Sequence, residues 1–207
     1  SMGIASASGG LDESAAGLLR DADTAMYKAK DEGPGRTATF DASMLDQVRD
    51  RIEMEVDLRQ AIADGDLVVY FQPIVAMASG RPVGAEALVR WTHPVRGPVS
   101  PAVFIPLAED AGLVTAIGTW VRREALRQLS RWRADGTVSD DFYLSINVSP
   151  RQLTDSELPL EVADELRATG VPARCVALEM TETVMADGGS VVSRVLLELR
   201  ELGLRLL

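Results

Sequence analysis

From residue 67 onward, short apolar runs alternate with longer stretches of helical spacing. The runs LVVYFQPIV (67–75), GAEALVRW (84–91), FYLSINVS (142–149), RCVALEMTET (174–183) and GLRLL (203–207) are rich in β-branched and aromatic residues and predict strands. Between the later ones, residues 115–135, 155–170 and 188–203 repeat their apolar positions at helical spacing and predict helices. Strands that alternate with helices pair in parallel through crossovers. The expected class is therefore α/β, as a sheet or a barrel.

Before residue 67 the pattern is different. Ala15, Leu18, Leu19, Ala22, Met26 and Ala29 recur at helical spacing, and Gly33-Pro34-Gly35 ends that helix. A strand at RTATF (36–40) is expected after it, and GIASAS precedes it. About forty residues with so few large apolar side chains are too few for an independent core, so this stretch predicts the end of a domain whose body lies elsewhere. A polar amphipathic helix follows over 44–65, with Leu45, Val48, Ile52, Val56 or Leu58, and Ile62 available for one stripe and Gly65 as its stop. Its apolar repeat is too short to sustain a coiled coil, which predicts a connecting helix packed on the next domain.

The strands carry polar residues in a pattern of their own. In AEALVRW, Glu86 and Arg90 fall on one face, because side chains alternate with a period of two. In FYLSINVS, Leu144, Ile146 and Val148 share one face and leave Tyr143, Ser145 and Asn147 on the other. In the next strand Val176 and Leu178 oppose Cys175, Ala177, Glu179 and Thr181. Each strand thus has a bulky face suited to packing under helices and a small or polar face. Glu86, Asn147 and Glu179 are expected late in their strands, where barrel enzymes place their chemistry. Three oxygen donors converging there would suit a hard divalent cation. Plainer roles stay open for each. Glu86 could pair with Arg90, although four residues of strand span roughly 13 Å. Asn147 could cap the loop that opens at SPRQ, and Glu182 and Asp187 read as solvated or capping groups. His93, before Pro94, is expected on the surface or in a loop, and Cys175 as a small core side chain.

Composition narrows the chemistry. With 207 residues and 46% hydrophobic content the chain can bury a substantial core. A formal net charge of -10 argues against binding nucleic-acid polymers, which needs clustered Lys and Arg. One Cys and one His exclude an internal disulfide framework and a Cys/His zinc cluster, so any metal would be held by oxygen. No apolar run reaches membrane-spanning length, and SMGIASASGG lacks the regions of a signal peptide; a cytoplasmic location is expected.

The motifs YFQPIV, AEALVRW, FIPLAEDAGL, LSINVSPRQL and LEMTET, in this order and spacing, resemble the first half of an EAL domain, the cyclic di-GMP phosphodiesterase of bacteria. SMGIA followed by LLRDADTAMYKAKDEGPGRTATFD resembles the last strand, helix and strand of a GGDEF diguanylate cyclase domain. The resemblance divides the chain into a GGDEF remnant (1–42), a connecting helix (43–65) and the N-terminal half of an EAL domain (66–207). It implies an incomplete (β/α)8 TIM-type barrel, Mg²⁺ or Mn²⁺, and hydrolysis of cyclic di-GMP to linear pGpG in a tandem signalling protein. By motif, Glu86, Asn147 and Glu179 are metal ligands, while Gln72 and Arg90 contact the dinucleotide, Arg90 through phosphate. The family's Asp-Asp motif and its later Lys, Glu and Gln would follow Leu207, and the GG[D/E]EF loop would precede Ser1. These residues alone are therefore expected not to hydrolyse the dinucleotide. They are expected to aggregate, swap with a second copy as a homodimer, or need the other half, because half a barrel exposes a strand edge and its inner face. Two rivals follow from the same resemblance: a module that binds cyclic di-GMP without cutting it, and a parent protein acting mainly as a cyclase.

Overall fold

The computed structural model describes residues 1–7, 14–31, 33–180 and 189–207, which form two compact units, Ser1–Asp57 and Leu58–Leu207. In the first, β1 (Met2–Ile4) and β2 (Thr37–Thr39) pair in parallel, with Gly3 opposite Ala38, and α1 (Ala15–Asp31) connects them. The helix lies directly on β1: a Cβ on Gly3 would stand 2.0 Å from the Ala22 carbonyl oxygen and 2.3 Å from the Met26 nitrogen. Only glycine allows that approach. Ala25, Ala29, Ala38 and Met44 form the core here, with Phe40 packed against it. The helical stripe differs from expectation. Ala15 and Leu19 are exposed, and Ala25 takes a fully buried place beside Ala29.

Helix α2 (Ser43–Asp64) begins where the Asp41 carboxylate accepts the Ser43 N–H, and ends at Gly65, whose φ of 78° suits a helix stop. The expected apolar stripe is only partly buried. Val48, Ile52 and Val56 are exposed, whereas Leu58 and Ala61 are buried. Of the two residues open for the fourth position of the stripe, Leu58 is the buried one.

The second unit holds a mixed sheet in the order β3-β4-β6-β7-β8, with β5 added to β4. Its strands are β3 (Leu67–Val75), β4 (Pro82–His93), β5 (Gly97–Val99), β6 (Tyr143–Asn147), β7 (Val176–Glu179) and β8 (Arg205–Leu206). β4 with β6, β6 with β7, and β7 with β8 are parallel, as the alternation with helices requires. The parallel expectation fails for the first strand: β3 runs antiparallel to β4. Only residues 76–81 lie between them, and Gly80, at a φ of 64°, turns the chain there; a parallel crossover needs a dozen residues or more.

The crossovers are made by α3 (Pro101–Asp110) and α4 (Val114–Ala134), then α5 (Pro150–Leu153) and α6 (Leu158–Thr169), and last α7 (Gly189–Glu201). Ser100 caps α3 by accepting the Ala102 N–H, and Pro101 suits its first turn. Leu144, Ile146, Val176 and Leu178 are fully buried on one face of the sheet, together with Trp91. Trp91 meets Phe104 of α3 edge-on at 5.8 Å, and Phe71 meets Trp132 of α4 at 4.9 Å. Between α4 and α6, the buried Arg122 donates to Glu165 Oε2 at 2.5 Å and to Glu161 Oε2 at 2.9 Å, so its charge is fully paired. Cys175 is buried, as expected.

His93 is not on the surface. It is 5% exposed, stacks edge-on against Trp91 at 5.4 Å, and accepts the N–H groups of Val95 and Arg96 on Nδ1 at 3.1 and 3.0 Å. Its ring takes the place of a backbone acceptor in the turn from β4 to β5, which is why it is drawn inward. Glu182, Asp187 and Thr181 lie outside the described residues.

A carboxylate and amide cluster on the polar face of the sheet

Strand register builds the site. Gln72 lies opposite Glu86 in the antiparallel pair, Glu86 opposite Ser145, and Asn147 opposite Glu179 in the parallel pairs. Paired residues project to the same face, so these five side chains share one surface, opposite the face packed under the helices. Asn147 and Glu179 are the last residues of β6 and β7, at the strand ends as expected. Glu86 is not at a strand end. β4 continues to His93, because its later residues pair with β3 and β5 after its pairing with β6 stops at Ala87. Glu86 nevertheless stands beside the other two, since β6 ends at that level.

Two hydrogen bonds tie the cluster together. Asn147 Nδ2 donates to Glu86 Oε1 at 2.7 Å, and Ser145 Oγ donates to Glu179 Oε1 at 2.5 Å. β6 therefore gives one donor to a carboxylate on each of its two neighbouring strands. Donors bonded to ionised acceptors are short and strong, and here they hold two like charges in fixed places. The loop after Asn147 is equally determined. Ser149 and Gln152 close a capping box at the start of α5, and Gln152 is itself buried.

Arg90 stands four residues beyond Glu86 on the same face, opposite Val68. It donates to its neighbour's carbonyl, Val89 O, at 2.9 Å, and its guanidinium sits 5.8 Å from the ring centroid of Tyr70. The structure thus brings Gln72, Glu86, Asn147 and Glu179 together and leaves Arg90 farther along the same face. Ser145 was visible in the alternation as a polar-face residue, but nothing in the spacing pointed to its bond with Glu179.

Glu86, Glu179 and the amide oxygen of Asn147 are hard oxygen donors of the kind that hold Mg²⁺ or Mn²⁺. With Nδ2 committed to Glu86, Asn147 would present Oδ1 to a cation. The donor set fits such an ion in kind. Among the described residues no cluster of three His, Cys, Asp or Glu side chains accompanies it, so this part of the chain supplies two carboxylates and one amide. No helix among the described residues is long and apolar enough to cross a membrane.

A model of the EAL domain matches residues 55–207. An uncharacterised signalling protein of Caulobacter vibrioides is 39% identical over 189 residues, covering 91% of this chain and 23% of that protein. The bifunctional diguanylate cyclase/cyclic di-GMP phosphodiesterase MucR of Pseudomonas aeruginosa is 38% identical over 182 residues, covering 87% of this chain and 26% of that protein. The solved structure described as the PaMucR phosphodiesterase in complex with c-di-GMP superposes with a TM-score of 0.70 at 34% identity, covering 74% of this chain and 62% of that one. The chain thus spans about a quarter of the length of these curated relatives.

Proposed function

Because the chain belongs to the EAL domain family, we propose that the protein carrying it hydrolyses one phosphodiester of cyclic di-GMP to give linear pGpG. The observation that supports this most is the convergence of Glu86, Asn147 and Glu179 from neighbouring strands onto one face, locked by the bonds from Asn147 and Ser145. A net charge of -10 makes the surroundings unfavourable for a dianionic ligand, so a local cation is what would admit one. In this reading Glu86, Glu179 and Asn147 Oδ1 hold Mg²⁺ or Mn²⁺. When bound, such an ion lowers the pKa of water and polarises a phosphoryl oxygen.

The chain's own residues then position the substrate. Arg90 offers a forked guanidinium to a diester phosphate, and Tyr70 supports it from the neighbouring strand. Gln72, opposite Glu86, offers amide donors and acceptors at the level of the carboxylates. Within this proposal, residues 1–42 are the C-terminal end of a GGDEF domain, 43–65 a connecting helix and 66–207 the first half of an EAL barrel. The protein is then a cytoplasmic tandem whose remaining catalytic groups lie elsewhere in the parent.

The test is turnover by the complete protein. With Mg²⁺ or Mn²⁺ it should produce the linear dinucleotide, and Glu86→Ala should lower the rate by about 10²–10³-fold with little change in melting temperature. Unchanged turnover in Glu86→Ala would sink the assignment. Tight binding of cyclic di-GMP by a wild type that makes no linear product would favour the binding module instead.

A further inference from the structure

Ser145 is buried, at 0% exposure, in the middle of the most central parallel strand. A hydroxyl so placed is costly unless it is bonded, and this one has a single proton to give. Its register partners are Glu86 on one side and Ala177 on the other. The proton goes to neither; it goes diagonally to Glu179 Oε1 at 2.5 Å. Glu86 is left to the next polar-face donor of the same strand, Asn147 Nδ2, at 2.7 Å. One strand therefore sorts the two carboxylates, each to a different donor. A glutamate at a strand end would otherwise sample several rotamers. With Oε1 held from below by a buried hydroxyl, the plane of the Glu179 carboxylate is set, and among the described residues Oε2 is the oxygen left to bind.

We propose that Ser145 is a positioning residue: its hydroxyl orients the Glu179 carboxylate for a divalent cation, a role that rests on the metal reading of this site. Outer partners of this sort are worth about 10–100-fold in metal affinity when removed. The loss should appear in affinity, not in the rate at saturating metal.

The experiment measures Mn²⁺ binding to the complete protein by the free-ion electron paramagnetic resonance signal, in the absence of nucleotide. Ser145→Ala should weaken Mn²⁺ by about 10-fold or more. Ser145→Thr, which keeps the hydroxyl, should bind within about 3-fold of the wild type, less than the smallest loss expected of an outer partner. Ser145→Cys keeps the size with a weaker donor, so it folds even if alanine leaves an unstable strand, and it should fall between the two. In a Glu179→Gln background Ser145→Ala should add nothing, because the two residues act as one unit. If Glu179→Gln weakens Mn²⁺ and neither Ser145→Ala nor Ser145→Cys does, the positioning role is overturned while the metal reading stands. An equal loss from Ser145→Ala with and without Glu179 also overturns it. If the wild type holds no Mn²⁺, or Glu179→Gln leaves its affinity unaltered, the metal reading has failed and the positioning role falls with it.

Discussion

The two faces of the central sheet are made from the same strands, residue by residue in alternation, and they obey different rules. On one, Leu144, Ile146, Val176 and Leu178 are buried and featureless, and any of them could be exchanged for an aliphatic side chain of similar volume. On the other, Ser145, Asn147, Glu86 and Glu179 are joined by bonds between particular atoms, while Val68 and Tyr70 are left exposed. The first face stabilises the fold by removing apolar area from water. The second spends some of that stability on fixing two carboxylates, one on each side of β6. Alternation lets one strand do both.

Neighbouring substitutions on β6 should separate the two faces most sharply. Ile146→Ala, on the buried face, should cost about 2–5 kcal/mol in denaturant unfolding, through lost burial and the cavity left behind. Asn147→Ala, one residue on, should cost about 1.5 kcal/mol or less, because it removes one hydrogen bond at an exposed position. Turnover and metal affinity should move in the opposite order at a temperature where both variants are folded. Equal stability losses at the two positions would break the comparison.

The buried face was legible in the sequence because its signal is local. The period-two pattern of 142–148 identifies Leu144, Ile146 and Val148 as core, and LVVYFQPIV coincides with β3 from end to end. The polar face was legible only as residue types. Asn147 and Glu179 could be placed at strand ends, but the partner each would take depends on register across strands more than fifty residues apart for Asn147 and Glu86. The same limit explains the misplaced residues. Glu86 lies mid-strand because β4 is prolonged by pairing with β5, and His93 is buried because a turn three residues later needs an acceptor. Leu19 reads as core from its spacing, yet it is exposed, and Ala25 and Ala29 are the fully buried residues of α1.

Beneath the polar face, Gly118 of α4 tests whether the loop after Asn147 is held from the helix layer. A Cβ there would stand 2.2 Å from Gln152 Nε2 and 2.6 Å from its Oε1. The Gln152 side chain cannot simply swing away, because Oε1 accepts both the Ser149 N–H and its hydroxyl at 3.1 Å. Alanine in a helix is otherwise favoured over glycine by about 1 kcal/mol, and overpacking costs about 1–3 kcal/mol. Gly118→Ala should therefore destabilise by about 1 kcal/mol, and Gln152→Ala should remove most of that penalty when the two are combined. A stabilised Gly118→Ala would show that the capping box does not restrain this loop.

The smallest effect concerns the hydroxyl-to-carboxylate bond that joins Ser145 to Glu179, because the same bond recurs in full solvent. Asp135 Oδ1 accepts the Thr137 hydroxyl at 2.5 Å and its N–H at 2.9 Å, and these bonds, the hydroxyl first, hold the Asp135 carboxyl below its ordinary value. Asp41 is lowered in the same way by Ser43. A depressed carboxyl contributes stability that is present above its unfolded value and lost as the pH falls through the folded one. Thr137→Val removes the hydroxyl and keeps the N–H, so the Asp135 midpoint, followed by carboxyl NMR, should rise toward the ordinary value. The denaturant midpoint at neutral pH should barely move, since the group is exposed. On the polar face the counterpart joins a fully buried hydroxyl to a half-buried carboxylate. Were the Asp135 midpoint unmoved in Thr137→Val, a hydroxyl at this distance would not be what steadies a carboxylate here, and the bond from Ser145 to Glu179 would lose its closest internal control.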